Sequence, residues 1–319
     1  MLHGAGTKAR ALSPAKPVEI RSVNLPAWRP ARASRPTVLA LTAAFTLAIT
    51  LTAGCATAPE VIGPLRAETV VAVTDTAELI RFNAGQPQRV LQRKPLLGLE
   101  PGDRLLGIDY RVARGVLYAV SASGRVYTLD ADSAQLTRVG NGAPVVFNGQ
   151  TFGVDFNPVA DRIRVVSDTG QNLRLHPDTG ALAAADPALR LSASALPAAG
   201  TPPLRVAGAA YTYNKHNDKL TTNFAIDLAS GTLMVQGSRE GVVPAVSPNT
   251  GELTAVGALG TGALDDAAFD IADINNAALA ALRSGGRTRL HAVDLASGRA
   301  TLIGTVGDGR GLWGMAIVP

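Results

Sequence analysis

The stretch Gly153–Gly180, GVDFNPVADRIRVVSDTGQNLRLHPDTG, decides the fold of this chain. Its short runs of Val, Ile, Leu and Phe are separated by turns rich in Asn, Asp, Pro and Gly. Runs of this length and composition are typical of β-strands, and the polar clusters between them are typical of tight turns. The stretch therefore predicts three successive antiparallel strands.

The end of this stretch belongs to a turn unit that recurs along the chain. The unit is a short strand, an Asp or Asn turn, Ser/Thr-Gly, and a second strand. Its copies lie at 127–140, 173–186, 224–237, 244–257 and 291–304, with a degenerate copy at 80–92. Asp or Asn closes its own turn by accepting backbone N–H bonds, and Gly supplies the positive φ that the hairpin needs.

A second repeated unit is a short apolar strand that begins with a small residue. Its copies are GIDY (107–110), GVDF (153–156), GAAY (208–211), AFDI (268–271) and GMAI (314–317). Asp109 and Asp155 lie 46 residues apart in the sequence. A period of this size with about four strands per unit is typical of a β-propeller blade.

Counting these first strands predicts an all-β propeller with five blades. Splitting the unit that contains 224–257 would give six, and a β-sandwich is a further alternative. The chain ends on a first strand with no blade after it, and residues 68–92 read as later strands with no first strand before them. Joined, they complete one blade and close the ring, which removes exposed sheet edges. Helix candidates are scarce. The best two are 273–284 and 186–196, and we expect the first of these segments to contain a strand instead.

The net charge of +5 and the isoelectric point of about 9.6 suggest a nucleic-acid ligand, but the basic excess lies in residues 1–54. That segment holds seven of the 30 basic residues and one of the 25 acidic residues, which leaves the rest of the chain at about −1. The remainder has no net attraction for phosphate.

A basic n-region before the apolar run 37–54 predicts an export signal peptide over 1–54. A membrane anchor is the alternative, although the run is short for spanning.

Cys55 is the only cysteine and follows this apolar run directly, in LTAGC. The placement resembles a bacterial lipoprotein signal, which implies that Cys55 carries the lipid, although Thr52 stands where that pattern prefers Leu. We expect residues 55–67 to be the lipidated cysteine and a tether, and 68–319 to be one propeller domain. The protein is then exported and anchored to the bacterial envelope by lipid alone. Ordinary secretion is the alternative.

Two groups of residues are candidates for chemistry. Asp109, Asp155 and Asp270 occupy equivalent first-strand positions, where Ala210 and Ala316 stand in the other two blades. Three carboxylates around a channel could hold Ca²⁺, which prefers hard oxygen ligands. In the alternative, each Asp accepts a backbone N–H of a neighbouring blade.

The second group distinguishes the opening stretch from the plainer blades. It comprises Arg162, Arg164, Asp168, Gln171, Asn172 and Arg174. Because successive side chains of a strand point to opposite faces of the sheet, we expect Arg164 and Arg174 to face each other across one hairpin, near Asp161 or Asp168. An ion-pair ladder is one interpretation. The other is a binding patch for a carboxylate or sugar, since Arg recognises planar anions with two hydrogen bonds.

The run 153–180, with AYTYN (210–214) and GELTAVGALG (251–260), resembles the bacterial domain-of-unknown-function 4394 family. The likeness covers most of residues 68–318, and it departs from the family pattern at Tyr213 and at Lys215-His216. The resemblance implies a propeller-like, secreted or lipid-anchored protein and no established activity.

These observations favour a binding or scaffold module over an enzyme. The sequence has no Gly-x-Ser-x-Gly elbow and no phosphate loop, and its four histidines lack metal-ligand spacing. The expected partner is a small molecule, a glycan or an envelope protein, the protein is expected to be a monomer, and no cofactor other than calcium is expected. A calcium-dependent, lactonase-like propeller hydrolase and an envelope assembly protein that binds other proteins are the alternatives.

Overall fold

The computed structural model describes residues 60–193 and 202–319. These residues belong to one compact unit, Thr57–Pro319. The predicted signal peptide at 1–54 and the predicted lipidation site Cys55 lie outside the described residues. No helix within the described residues is long and apolar enough to cross a membrane.

The described chain forms five small sheets arranged as the blades of a propeller. Strands β1 (Thr69–Thr74), β2 (Glu78–Asn83) and β3 (Val90–Pro95) belong to blade 1. Blade 2 contains β4 (Leu105–Arg111), β5 (Val116–Ser121), β6 (Val126–Leu129) and β7 (Leu136–Arg138). Blade 3 contains β8 (Phe152–Asn157), β9 (Arg162–Ser167), β10 (Asn172–Leu175) and β11 (Leu182–Ala185).

Blade 4 contains β12 (Arg190–Leu191), β13 (Val206–Tyr211), β14 (Asn223–Asp227), β15 (Thr232–Gln236) and β16 (Glu252–Ala258). Blade 5 contains β17 (Asp266–Ile271), β18 (Ala278–Ser284), β19 (Arg287–Val293) and β20 (Ala300–Thr305). The last strand, β21 (Leu312–Ile317), returns to blade 1. Short 3₁₀ turns lie at Val112–Arg114 and Pro248–Thr250. The prediction of five blades is therefore confirmed.

The ring closes as the sequence predicts. Strand β21 pairs antiparallel with β1, with Val70 opposite Ile317 and Ala72 opposite Met315. The first strands β21, β4, β8, β13 and β17 contact one another in that order around the axis. Blade 1 therefore combines the first and the last described strands, and their pairing closes the ring.

The apolar core is divided among the seams between blades. Five clusters of buried side chains each join two neighbouring sheets, such as Tyr118 and Val120 of blade 2 with Phe156 and Ile163 of blade 3. Each sheet is therefore covered on both faces, which explains why β9 is buried at Ile163 and at Arg164 alike. Burial of this kind is the main stabilising contribution.

Blade 4 departs from the four-strand plan. The predicted helix at 186–196 is wrong for its described part, because residues 190–191 form β12, which pairs in parallel with β16 outside the hairpin. The strand interpretation of 273–284 is confirmed by β18.

The described end of the predicted tether lies against the propeller. The N–H of Thr305 donates to Glu60 Oε1 at 2.7 Å, and Gln86 Nε2 donates to the carbonyl of Gly63 at 2.8 Å. The backbone of Pro64 comes so close to Gly85 that a Cβ there would lie 1.9 Å from the Pro64 oxygen. Residues 60–66 are thus held along the seam between blades 5 and 1.

Candidate functional site

Small residues at the start of each first strand let the blades approach the axis closely. A Cβ added to Gly107 would lie 2.5 Å from the Cβ of Val154, and one added to Gly153 would lie 2.5 Å from the Ala209 nitrogen. A Cβ on Gly314 would meet the Ile108 nitrogen at 2.7 Å. The backbone of each of these strands therefore lies in close contact with the neighbouring first strand, and the channel between the strands is narrow.

Asp109, Asp155 and Asp270 converge near one end of this channel. Ligand-type oxygen atoms of the three carboxylates lie within 4.8 Å of one another, and all three side chains are buried. The sequence alignment of first strands therefore located a real convergence, since each Asp lies two residues after the small residue of the repeated unit.

Each carboxylate also accepts a backbone N–H from the first strand of the next blade. Asp109 accepts from Phe156 at 2.7 Å, Asp155 from Tyr211 at 3.3 Å, and Asp270 from Ile317 at 2.6 Å. The second of the two sequence interpretations is thus present in the structure: the three Asp residues link blade 2 to 3, 3 to 4, and 5 to 1.

Asp270 makes one additional bond within its own strand. Ala210, the equivalent residue of blade 4, cannot accept an N–H from blade 5, and Asp270 accepts the N–H of its own neighbour Ile271 at 2.6 Å. The three carboxylates therefore satisfy four buried N–H groups, and buried backbone donors need such partners.

The carboxylates are strongly perturbed. Burial, followed by the charge of Asp270, raises the pKa of Asp109 well above its usual range, and burial with the charges of Asp109 and Asp270 does the same for the pKa of Asp155. Burial raises the pKa of Asp270 to about 6, against the lowering effect of its two backbone N–H bonds. Like charges at this separation disfavour the ionisation of all three carboxylates, and a cation bound between them would favour it.

The cluster meets only part of the requirement for calcium. Three hard carboxylates within 4.8 Å suit the ion, but Ca²⁺ takes six to eight oxygen ligands, and the N–H groups already occupy several carboxylate oxygens.

Tyr213 lies near the same end of the channel. Its backbone N–H donates to Asn276 Oδ1 at 2.8 Å, and its carbonyl accepts from Asn276 Nδ2 at 2.9 Å, so blade 5 fixes its position. Burial, and then the negative charges of Asp109 and Asp155, raise the pKa of its hydroxyl. This half-buried ring therefore lies close enough to the cluster to sense its charge, while it also contributes to two surface clefts.

The first cleft lies between the loops that follow β4 and β8, and it has a volume of about 700 Å³. Its lining includes Val112, Arg114, Phe156, Pro158 and Tyr213.

One wall of the first cleft is held by the buried side chain of Arg111. Its guanidinium binds both carboxylate oxygens of Asp161, with Nε donating to Oδ1 at 2.7 Å, and it donates to Asp178 at 2.5 Å. Asp161 adopts a positive φ of 50°. A bidentate Arg–carboxylate pair fixes a geometry rigidly, so this cleft is pre-formed.

The second cleft lies on the other side of Tyr213 and has a volume of about 440 Å³. Lys215, His216 and Glu240 line it with exposed side chains, and Ile274 lies at its edge with 60% of its surface exposed. Asn275 Nδ2 donates to Glu68 Oε1 at 3.3 Å, which ties this edge to blade 1.

The polar residues of blade 3 fall into two sets. Arg164 and Arg174 face each other across β9 and β10 as predicted, but their common counter-ion is Asp186, not Asp161 or Asp168. Arg164 is fully buried, and besides Asp186 its guanidinium donates to the Tyr211 hydroxyl at 2.7 Å, to Asn249 Oδ1 at 2.5 Å and to Asn172 Oδ1. This network joins blades 3 and 4.

The other three members of that group lie apart from the network. Asp168 Oδ1 accepts the N–H of Gln150 at 2.8 Å, and Gln171 bonds the backbone of Val146 and Asn148. Arg162 donates to the carbonyl of Asp161 at 2.8 Å. A single patch formed by all six residues is not assembled, and most of their polar atoms contact other parts of the protein. Ligand binding by any of them stays a prediction.

At the opposite end of the channel, all five blades enclose a cavity of about 40 Å³, which is room for a few water molecules. Asp266 lines it together with Arg104, Thr151 and Trp313. Burial raises the pKa of Asp266 to about 6, against the lowering effect of its bond from the Ala267 N–H.

Arg111, Tyr213 and Asp266 were not singled out from the sequence as site residues. Arg111 and Asp266 lie at the end and the start of first strands, so the repeat could have indicated them as residues near the channel mouths. The position of Tyr213 depends on its contact with Asn276, which no local pattern indicates.

The family described as "Domain of unknown function (DUF4394)" matches residues 78–316. No curated protein matches the chain significantly. Solved structures with some likeness include the nidogen/laminin complex, with 11% identity, a TM-score of 0.41, and coverage of 79% of this chain and 98% of that one.

A structural-genomics protein of unknown function from Bacteroides thetaiotaomicron VPI-5482 has 13% identity and a TM-score of 0.45, with 73% of this chain and 56% of that one covered. A protein from Lactobacillus plantarum has 15% identity and a TM-score of 0.36, with 79% and 71% covered.

Proposed function

Because the chain belongs to the DUF4394 family, whose function is unknown, and folds as a five-bladed propeller, we propose that it is a binding module of the cell envelope. The ligand is a small molecule or part of a larger envelope molecule, and its site is the face of the ring on which Tyr213 lies. The ligand would then be bound by turns that a rigid scaffold holds in place, and binding residues are common in such turns.

The first cleft carries this proposal. Its volume of about 700 Å³ falls within the range of ligand sites in proteins. Its wall is held by the buried Arg111 with Asp161 and Asp178, so binding requires little ordering of the protein. Tyr213 lines this cleft, and a side chain that combines an aromatic ring with a hydroxyl suits ligands with apolar and polar parts.

A fragment screen by ligand-observed NMR on the purified protein tests this proposal. Hits are expected to lose binding in Tyr213→Ala and to keep it in Leu91→Ala, a control that truncates an exposed side chain on the outer strand of blade 1. Melting curves of both variants check that the fold is intact. Hits that bind Tyr213→Ala as well as the unaltered protein would place the site elsewhere.

The envelope location rests on the LTAGC sequence around Cys55. Lipid attached there would hold the propeller at a membrane surface. Cys55→Ser is expected to move the protein from the membrane fraction of cells to the soluble fraction. Unchanged fractionation of that variant would exclude the lipid anchor.

Calcium binding, with an associated hydrolase activity, is the second candidate, and the convergence of Asp109, Asp155 and Asp270 within 4.8 Å favours it. Native mass spectrometry and melting curves with calcium test it. An added mass of one calcium ion and a raised melting temperature are expected, and both are expected to be absent in Asp155→Asn. An unaltered protein with no bound ion and no shift would exclude this candidate.

A further inference from the structure

Two clefts open on the same face of the ring and share one side chain. The first lies between loops of blades 2 and 3, and the second lies between loops of blades 4 and 5. Tyr213 lines both. A ligand that rests on this ring can therefore extend into both clefts, across the end of the channel.

The accessible groups on the two sides are polar and of both charges. Arg114 is exposed in the first cleft, and Lys215, His216 and Glu240 are exposed in the second. Arg and Lys only donate hydrogen bonds, Glu only accepts them, and His does either. The half-buried Tyr213 lies in the middle of the path. Hydrogen-bond donors and acceptors on both sides of an aromatic residue match a chain that carries many hydroxyl groups and C–H faces.

Other extended ligands fit this path less well. Nucleic acid requires a basic surface, whereas the chain after residue 54 has a net charge of about −1. A peptide that binds as an added strand needs a free strand edge, but both clefts are lined by strand ends and by the turns between strands. An apolar chain fits the second cleft poorly, because the exposed side chains of Lys215, His216 and Glu240 line it.

We propose that the two clefts form one groove across Tyr213, and that this groove binds a linear carbohydrate chain of several sugar units. The inference rests on the proposed binding function and deepens it, because it specifies the length and the chemistry of the ligand. A chain that occupies both clefts gains binding free energy from the second contact without a second loss of translational freedom. Affinity should therefore depend on chain length.

Calorimetric titration of the purified protein with β-1,4-linked N-acetylglucosamine oligomers of two, four and six units tests the groove. The affinity for the longest oligomer is expected to exceed that for the disaccharide by about ten-fold or more. Arg114→Ala and Glu240→Ala alter opposite clefts, and each is expected to weaken the long oligomer. Arg287→Ala removes an exposed Arg at the opposite end of blade 5 and is the matched control.

The outcomes separate this inference from the proposed function. Equal affinity for short and long oligomers, lost in Tyr213→Ala, would support a binding face and overturn the extended groove. Oligosaccharides that fail to bind while small-molecule hits from the fragment screen do bind would overturn the carbohydrate class. Binding that Arg114→Ala weakens but Glu240→Ala leaves unchanged would restrict the site to the first cleft, which also overturns the groove.

Discussion

The carboxylate of Asp270 accepts the backbone N–H of Ile317 at 2.6 Å, and this bond joins blade 5 to the C-terminal strand of blade 1. It lies at the seam where the two ends of the chain close the ring. The same residue also accepts the N–H of Ile271 at 2.6 Å. One side chain thus satisfies buried donors in two blades.

Asp270→Ala is expected to lower the free energy of unfolding by about 2–4 kcal/mol, because it leaves two buried N–H groups without an acceptor. Asp155→Ala should cost about 1 kcal/mol, since Asp155 accepts one N–H at the longer distance of 3.3 Å. Urea unfolding of both variants measures the difference. Equal losses would contradict the assigned difference in hydrogen bonding.

Gly153→Ala tests the close approach of first strands. The new Cβ would lie 2.5 Å from the Ala209 nitrogen, and since this contact is with backbone it cannot relax by rotation of a side chain. A loss of about 2–3 kcal/mol is expected in urea unfolding. Gly142→Ala is the matched control, because its Cβ would meet nothing nearer than 3.6 Å. A melting curve for Gly153→Ala like that of the control would show that the axis is looser than described.

Arg164→Ala should be among the most destabilising changes in the chain. It would remove a buried donor from Asn172, Asn249 and the Tyr211 hydroxyl and leave Asp186 with Arg174 alone, at a cost of about 3 kcal/mol. Arg162→Ala, two residues earlier on the same strand, should change the free energy of unfolding by about 0.5 kcal/mol or less. If the two variants unfold at the same urea concentration, the network does not hold blades 3 and 4 together.

Asp266 gives a pH dependence of known sign. Its pKa is raised from 3.8 to about 6 in the folded protein, so the folded state holds a proton that the unfolded chain has lost. Stability from this site is present at low pH and falls as pH rises between about 4 and about 6. Asp266→Asn lacks this titration, and its stability relative to the unaltered protein should therefore rise by about 2 kcal/mol across that window.

Thermal unfolding at a series of pH values measures this relative stability. Asp308→Asn is the control of opposite sign, because Arg310 lowers the pKa of Asp308 and its contribution is lost as pH falls. A relative stability of Asp266→Asn that does not change with pH would contradict the raised pKa.

Turn chemistry and repeat spacing were sufficient to predict the architecture. The Asp, Asn and Gly residues of each hairpin act within a few positions of one another, so their structural effect can be recognised locally. The equivalence of Asp109, Asp155 and Asp270 also followed from the repeat, because equivalent positions in equivalent blades meet at the axis. Closure by residues 312–317 followed from the incomplete units at the two ends.

The contacts between blades could not be predicted in this way. Arg164 of blade 3 donates to Tyr211 and Asn249 of blade 4, and these groups meet only after the two blades have packed. Tyr213 of blade 4 is held in the same way by Asn276 of blade 5. The short strand at 190–191 pairs with β16, far along the chain, and so its local composition was misleading.

The sequence by itself thus indicated a propeller of five blades in preference to six, the order of the blades and the way the ring closes, because a repeated pattern of strands and turns encodes these features locally. Only the tertiary structure decided which N–H groups the three carboxylates accept, and which loops border Tyr213 to form the two clefts. Those features depend on distances between blades, and the packing of buried side chains at the seams sets those distances.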